Sequence, residues 1–206
     1  MVDTLSLFEY DKKLLSQDIK YIAGMDEVGR GPLAGPVVTC AVIMPYDEMI
    51  EGVFDSKKLT AKKRDELYDI IISKAIAYAI TFENNEVIDE INILEATKKS
   101  MRNSFHSLTV KPDILLVDAV KGLNLDCNTL PIIKGDATSY AIACASILAK
   151  VYRDRMMEEY SKVFTNYDLF NNKGYGTKKH LEGLKLYGKC PIHRNSFIIN
   201  LEVKEG

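Results

Sequence analysis

The stretch Tyr21-Ile22-Ala23-Gly24-Met25-Asp26-Glu27-Val28-Gly29-Arg30-Gly31-Pro32-Leu33-Ala34-Gly35-Pro36-Val37-Val38-Thr39-Cys40-Ala41-Val42-Ile43-Met44 decides how this chain folds. Residues 21–25 form a short apolar strand interrupted by Gly24, residues 29–36 a Gly/Pro-rich loop, and residues 37–44 a strongly apolar strand. Downstream, Thr60 opens a helix whose Leu67, Ile70, Ile71 and Ala75 share one face. Residues 77–82 suit a third strand. A broken helix from Glu86 to about Leu108 offers Ile88, Ile91, Leu94 and Met101 for packing. The unbroken run at 114–117 ends in Asp118 and reads as a central strand buried on both faces. After a short strand at 130–133, a long helix is expected from Asp136 to about Tyr160. Its inner face is Tyr140, Cys144, Ile147, Leu148 and Val151, and Ala143, Ala145 and Ser146 allow close approach to a sheet. Strands followed by alternating strands and helices indicate an α/β layered domain on a mixed sheet. One domain over residues 1–206 is expected, with residues from about 161 onward, including a helical segment at 177–187, as its C-terminal arm.

With 206 residues, 47% hydrophobic and 27% charged, the chain is neither disordered nor fibrous. The net charge of −2 advertises no polyanionic partner, yet residues 161–206 carry eight Lys or Arg against four Asp or Glu. Such a basic tail on an acidic body suits a polyanion, and equally a solvated surface. Cys40, Cys127, Cys144 and Cys190 form no Cys-x-x-Cys pair, and Cys40 and Cys144 read as reduced core residues. Neither a signal peptide nor an apolar run near the ~18 residues of a membrane span is evident, so a cytoplasmic place is expected.

Two phosphate-binding patterns fail on inspection. Gly29-Arg30-Gly31 begins a dinucleotide fingerprint, but the third glycine falls late and Gly35-Pro36 leads into a strand rather than a helix. Residues 183–190 approach a Walker A loop but end in Cys190, with no preceding strand and Pro191 after them. The acids are the stronger lead. Asp26-Glu27 closes one strand, Asp118 a second, and Asp136 follows a third, and in open α/β sheets function gathers where strands end. Like charges so gathered call for hard cations such as Mg²⁺ or Mn²⁺, two of which can activate water and stabilise a leaving oxygen in phosphodiester cleavage. Each acid also has a plain reading: Asp136 as a helix cap, Asp118 as a turn residue, Asp26-Glu27 as a solvated strand end.

The motif at 21–38 resembles the signature of bacterial ribonuclease HII, a type 2 ribonuclease H. The resemblance continues through Asp55-Ser56-Lys57-Lys58-Leu59, Leu116-Val117-Asp118, Gly135-Asp136, the run at 147–154, Lys173-Gly174-Tyr175-Gly176-Thr177 and Pro191-Ile192-His193-Arg194. It implies a ribonuclease H-like fold that uses Mg²⁺ or Mn²⁺ to cut the RNA strand of RNA–DNA hybrids. Single ribonucleotides in duplex DNA are cut on their 5′ side, leaving 5′-phosphate and 3′-hydroxyl. By the same resemblance Asp26, Glu27, Asp118 and Asp136 are the metal-binding catalytic acids. Gly29, Arg30 and Gly31 form the loop that senses the 2′-hydroxyl, Lys57 and Lys58 contact phosphate, and Tyr175 stacks on a sugar. Gly176 departs from the proline common at that place in the family. Adjacent Asp26-Glu27 distinguishes the chain from type 1 enzymes, and the Gly-Arg-Gly loop distinguishes it from ribonuclease HIII. A catalytically silent binder or a DNA-only metal nuclease of the same fold are the alternatives, and a monomer is expected. Thr4-Leu5-Ser6-Leu7-Phe8 resembles a peptide that docks on the bacterial sliding clamp, with Thr4 replacing Gln. The alternative is a helix packing Leu7 and Phe8 on the domain.

Overall fold

Alternation of apolar residues and the loop glycines place five strands in one sheet of order β3-β2-β1-β4-β5. A computed structural model describes residues 3–56 and 59–201. The strands are β1 (Ile22–Val28), β2 (Val37–Ile43), β3 (Ala77–Glu83), β4 (Ile114–Asp118) and β5 (Asn128–Ile132). β2 pairs antiparallel with β1 and β3, whereas β4 runs parallel to both β1 and β5. Parallel pairing brings the C-terminal ends of β1, β4 and β5 to one edge. The first strand is longer than its apolar pattern predicted, because antiparallel bonding to β2 carries it through Asp26 and Glu27 to Val28.

Helices cover both faces. α1 (Thr4–Lys12), α2 (Ala61–Lys74) and α4 (Tyr140–Val163) lie on one side, and α3 (Asn85–His106) on the other. Thr60 caps α2 as its position suggested, and the expected break in α3 is a kink at Asn92, whose φ is 66°. Ala23, Met25, Ala41, Ile43, Leu115 and Val117 meet Met101 and Phe105 of α3. Val38, Cys40 and Val42 meet Cys144, Ile147 and Leu148 of α4. One glycine governs how close α4 comes: a Cβ on Gly24 would fall on the main-chain carbonyl of Ala141. The first turn of α4 therefore rests directly on the backbone of β1.

The segment at residues 4–8 is α1, and it is committed to the core. Leu7 and Phe8 are buried, and Phe8 meets the rings of Tyr46 and Tyr140 with centroids 5.4 and 5.3 Å away. Burial of two such side chains is worth about 1.5–3 kcal/mol each, so as folded this segment offers neither to a sliding clamp. The clamp-peptide expectation for residues 4–8 is corrected accordingly. Asp11, also buried, accepts hydrogen bonds from Tyr46 Oη (2.9 Å), Ser139 Oγ (3.0 Å) and the Ala141 N–H (2.7 Å), tying α1 to the start of α4. Burial pushes its carboxyl up to about 6.

Beyond α4 the chain forms α5 (Leu169–Asn172), α6 (Lys178–Tyr187) and α7 (Asn195–Ile198), with Tyr167, Leu169, Leu184, Ile192 and Ile198 packed on Ala34 and Met157. Thr177 caps α6 as expected. Two buried arginines join this region to the loop at 29–36. Arg153 donates to the carbonyls of Pro36 (2.9 Å), Lys173 (2.9 Å) and Ala34 (3.2 Å). Arg194 donates to the carbonyls of Gly35 (3.0 and 2.8 Å), Arg30 (2.9 Å) and Gly29 (2.6 Å). Desolvation lowers both guanidinium pKa values, to about 10 and about 9, which leaves them charged at neutral pH. Arg194→Met is expected to lower the unfolding free energy by about 3 kcal/mol, since it strands the buried carbonyls of Gly29 and Gly35 and the part-buried one of Arg30. Arg194→Lys should cost nearly as much, because one ammonium cannot reproduce the planar fork. Denaturant titration of both variants checks this.

Candidate active site

Asp26 and Glu27 stand at the end of the central strand, and Glu27 pairs in register with Thr39 of β2. Alternation along β1 turns Asp26 toward α4, where the Ser146 hydroxyl donates to it, and Glu27 toward the α3 side. Val117 is level with Met25, so Asp118, one residue further along a parallel neighbour, is level with Asp26. The fourth acid arrives by a different route. After β5 the chain takes a left-handed residue at Lys134 (φ 56°) and enters a 3₁₀ turn, Gly135–Ala137, that carries Asp136. The Gly135 N–H donates to Asp118 Oδ1 at 2.7 Å and joins the two segments.

Asp136 does not cap the long helix. That helix starts at Tyr140, later than expected, and its cap is Ser139, whose Oγ accepts from the Ile142 N–H at 3.2 Å. Asp136 is nonetheless buried, and its plain reading as a cap is removed. Asp118 is the last strand residue, and the turn begins only at Ala119, with φ 48°.

Burial dominates the electrostatics. It holds the Asp26 carboxyl well above the usual carboxylate range, and the charges of Glu27 and Asp118 add to the effect against the Ser146 hydrogen bond. Glu27 is raised as well, by burial first, with Arg30 opposing and Asp118 reinforcing. Arg30 Nη1 lies 3.4 Å from Glu27 Oε1, while Glu27 Oε2 is buried without a hydrogen-bond partner. An orphaned buried carboxylate oxygen beside two further acids is a donor set that hard divalent cations satisfy. Among the described residues no group of three or more His, Cys, Asp or Glu is already drawn in to metal-ligand spacing.

The loop residues Gly29, Arg30 and Gly31 follow directly. Gly29 has φ +91°, and a side chain there would collide with the Arg153 guanidinium. A Cβ on Gly31 would lie 3.6 Å from Cε1 of Tyr175, so the structure brings these two together, and the Tyr175 ring is half exposed. Gly176 leaves this loop well anchored: the Leu33 N–H donates to the Gly174 carbonyl (2.8 Å) and the Tyr175 N–H to the Asn172 carbonyl (2.9 Å). Lys57 and Lys58 lie outside the described residues. The neighbouring Ser56 hydroxyl is 3.0 Å from that of Ser146, which brings the root of their loop to Asp26. Sequence reasoning read Ser146 only as a small residue allowing close approach and gave Ser56, Arg153 and Arg194 no role of their own, because their partners are brought to them by folding.

Comparison with known proteins agrees with this arrangement. The family model for ribonuclease HII matches residues 23–200. Ribonuclease HII of Caldicellulosiruptor bescii is 53% identical over 194 residues, covering 94% of each chain. Ribonuclease H2 of Pyrococcus horikoshii superimposes with a TM-score of 0.77 at 29% identity, covering 89% of this chain and 97% of that one. Ribonuclease HII of Archaeoglobus fulgidus, solved in complex with PCNA, gives 0.72 at 27% identity, covering 89% and 98%. The chain therefore belongs to the ribonuclease HII family of endonucleases, hydrolases that act on RNA–DNA hybrids.

Proposed function

We propose that this chain uses Asp26, Glu27, Asp118 and Asp136 to hold divalent metal ions, and that it cuts both RNA–DNA hybrids and single ribonucleotides embedded in duplex DNA. The cut falls on the 5′ side of the ribonucleotide and leaves 5′-phosphate and 3′-hydroxyl. The observation that carries this reading is the junction of two features: the acids at adjoining strand ends, and the Gly31–Tyr175 pair, linked through the contact of Arg30 with Glu27.

Bound Mg²⁺ or Mn²⁺ supplies neutralisation of phosphate charge and activation of water. The protein's own groups prepare the rest. The Glu27 N–H donates to Asp26 Oδ1 at 2.7 Å and the Gly135 N–H to Asp118 Oδ1 at 2.7 Å, which holds both carboxylates in place. Bare backbone at Gly31 admits a nucleic-acid minor groove, where the 2′-hydroxyl separates RNA from DNA. The exposed ring of Tyr175, standing over Gly31, offers a floor for the sugar beside it. Lys57 and Lys58, next in sequence after Ser56, are of the residue type that suits phosphate.

Removing the cation with EDTA is expected to abolish cleavage of a duplex containing one ribonucleotide. Asp118→Asn and Asp136→Asn should each lower the rate by about two orders of magnitude or more while the fold survives, and near-full activity in Asp118→Asn would sink the assignment.

Stability supplies an independent check. The folded state raises the Asp26 pKa, so it takes up a proton at a higher pH than the unfolded chain does. Ionised Asp26 therefore costs the metal-free wild type stability at pH above its folded value, a cost that fades as pH falls through that value. Without metal, Asp26→Asn should melt above the wild type at pH 8, and that advantage should shrink as pH falls toward the ordinary carboxylate value of 3.8. Added Mg²⁺ or Mn²⁺ should raise the wild-type melting temperature but not that of the variant.

Recognition is tested at Gly31. The extra methyl of Gly31→Ala meets only the Tyr175 ring, at ordinary contact distance, so the free protein tolerates it. Against a bound duplex it would intrude. Cleavage of the single-ribonucleotide duplex should fall about tenfold or more, with melting temperature and metal-induced stabilisation unchanged. Normal cleavage by this variant, or wild-type activity confined to long hybrids, would remove the junction-sensing role.

A further inference from the structure

Of the chain's three histidines, His180 on α6 and His193 just before α7 are both buried, and neither belongs to the acid edge. Their Nε2 atoms face each other at 2.9 Å. His193 Nδ1 lies 2.9 Å from the Cys190 amide nitrogen and 3.2 Å from the Cys190 carbonyl oxygen; the shorter contact, in which the Cys190 N–H donates, makes Nδ1 an acceptor and puts the proton of neutral His193 on Nε2. That proton points at His180 Nε2, which must accept it. His180 then carries its own proton on Nδ1, which lies 2.9 Å from the Tyr175 carbonyl. One chain of hydrogen bonds thus runs from the Cys190 amide through two imidazoles of opposite tautomer to the main chain of Tyr175.

The surroundings favour the neutral pair. The Tyr167 ring meets His193 edge-on with centroids 4.8 Å apart and His180 at 6.0 Å, and its hydroxyl donates to the Gly188 carbonyl at 2.9 Å. Cys190 Sγ lies 3.1 Å from His193 Nδ1, and burial pushes that thiol up to about 11, so it presents no thiolate. Arg194, next in the chain, turns its guanidinium to the carbonyls of Gly29, Arg30 and Gly35. Burial lowers both histidines, His193 to about 4. A proton added to His180 would set two N–H groups face to face between the rings, and one added to His193 Nδ1 would exchange the bond from the Cys190 N–H for a longer one to the Cys190 carbonyl, 3.2 Å away.

We infer that His180 and His193 are positioning residues that fix the Tyr175 main chain, and through it the ring that stands over Gly31. The inference rests on the proposed sugar-stacking role of Tyr175. Through this pair, the segment following α6 is tied to the residue that meets the substrate.

With three histidines, the long-range ¹H–¹⁵N spectrum of the wild-type protein is simple to assign. It should show the Nδ1–H tautomer for His180 and the Nε2–H tautomer for His193, with neither ring titrating between pH 6 and 8. Identical tautomers, or an ordinary titration near 6.5, would overturn the relay. Two substitutions then divide its links. The Asn amide of His180→Asn reaches the place of Nδ1 and keeps the donor to Tyr175, whereas the Gln amide of His180→Gln reaches the place of Nε2 and loses it. On the single-ribonucleotide duplex, His180→Gln should lower kcat about tenfold with KM nearly unchanged, while His180→Asn stays within about threefold of wild type. In a Tyr175→Ala background neither substitution should cost anything further. Equal losses in the two variants, or losses that persist without the Tyr175 ring, would mark a merely structural role and overturn the proposal. A deficit in Tyr175→Ala with none in His180→Gln would overturn the relay and leave stacking intact. Full activity in Tyr175→Ala would overturn stacking and positioning together, even with the tautomers as expected.

Discussion

The first turn of α4 lies on the bare backbone of Gly24, and the candidate site depends on that contact. Without a Cβ between them, Ala141 and β1 meet at main-chain distance. Ser146, little more than a turn further along the same helix, then reaches the carboxylate of Asp26. The approach to α4 through the turn at Gly135–Ala137 is fixed by the same seating, and Asp136 travels with it. Asp11 secures the arrangement from outside the sheet by holding Ser139 and Ala141. A larger residue at position 24 would lift the helix and separate Asp136 from the strand-end acids.

A second framework holds the loops at residues 29–36 and 173–176, and it is made of cations bonded to carbonyls. Arg153 and Arg194 are fully buried and spend seven hydrogen bonds on the main chain of residues 29–36 and 173. Glycine-rich loops are entropically costly to order, because their unfolded chains range widely. Planar guanidiniums offset this cost by gathering carbonyls from several residues at once. The neutral histidine pair extends the framework to Tyr175. The Gly31 backbone and the Tyr175 ring are thereby both tied to the segment at 190–194.

Between these frameworks the protein places Asp26, Glu27 and Asp118 at adjoining strand ends. Arg30 reaches one oxygen of Glu27, and the other is buried without a partner. Folding without a cation therefore stores an electrostatic cost at this edge, which binding of a divalent ion would release. Burial and the mutual repulsion of these acids account for the raised Asp26 and Glu27 carboxyls.

The sequence by itself determined the sheet, the order of its strands along the chain and the acids that close them, because apolar runs and glycine breaks report on each segment's own surroundings. It also marked the Gly29-Arg30-Gly31 loop and the broken helix around Asn92. Tertiary structure decided what local pattern could not. Asp136 lost its reading as a cap because Ser139 lies closer to the true start of α4, and residues 4–8 became a core helix because Tyr46 and Tyr140 supply a surface for Phe8. Arg153, Arg194 and the His180–His193 pair look like ordinary polar residues in one dimension. Their roles depend on partners brought together by folding, such as the Gly35 carbonyl, 159 residues from Arg194. Hydrogen bonds act over about 3 Å of space, a distance to which separation along the chain is no guide.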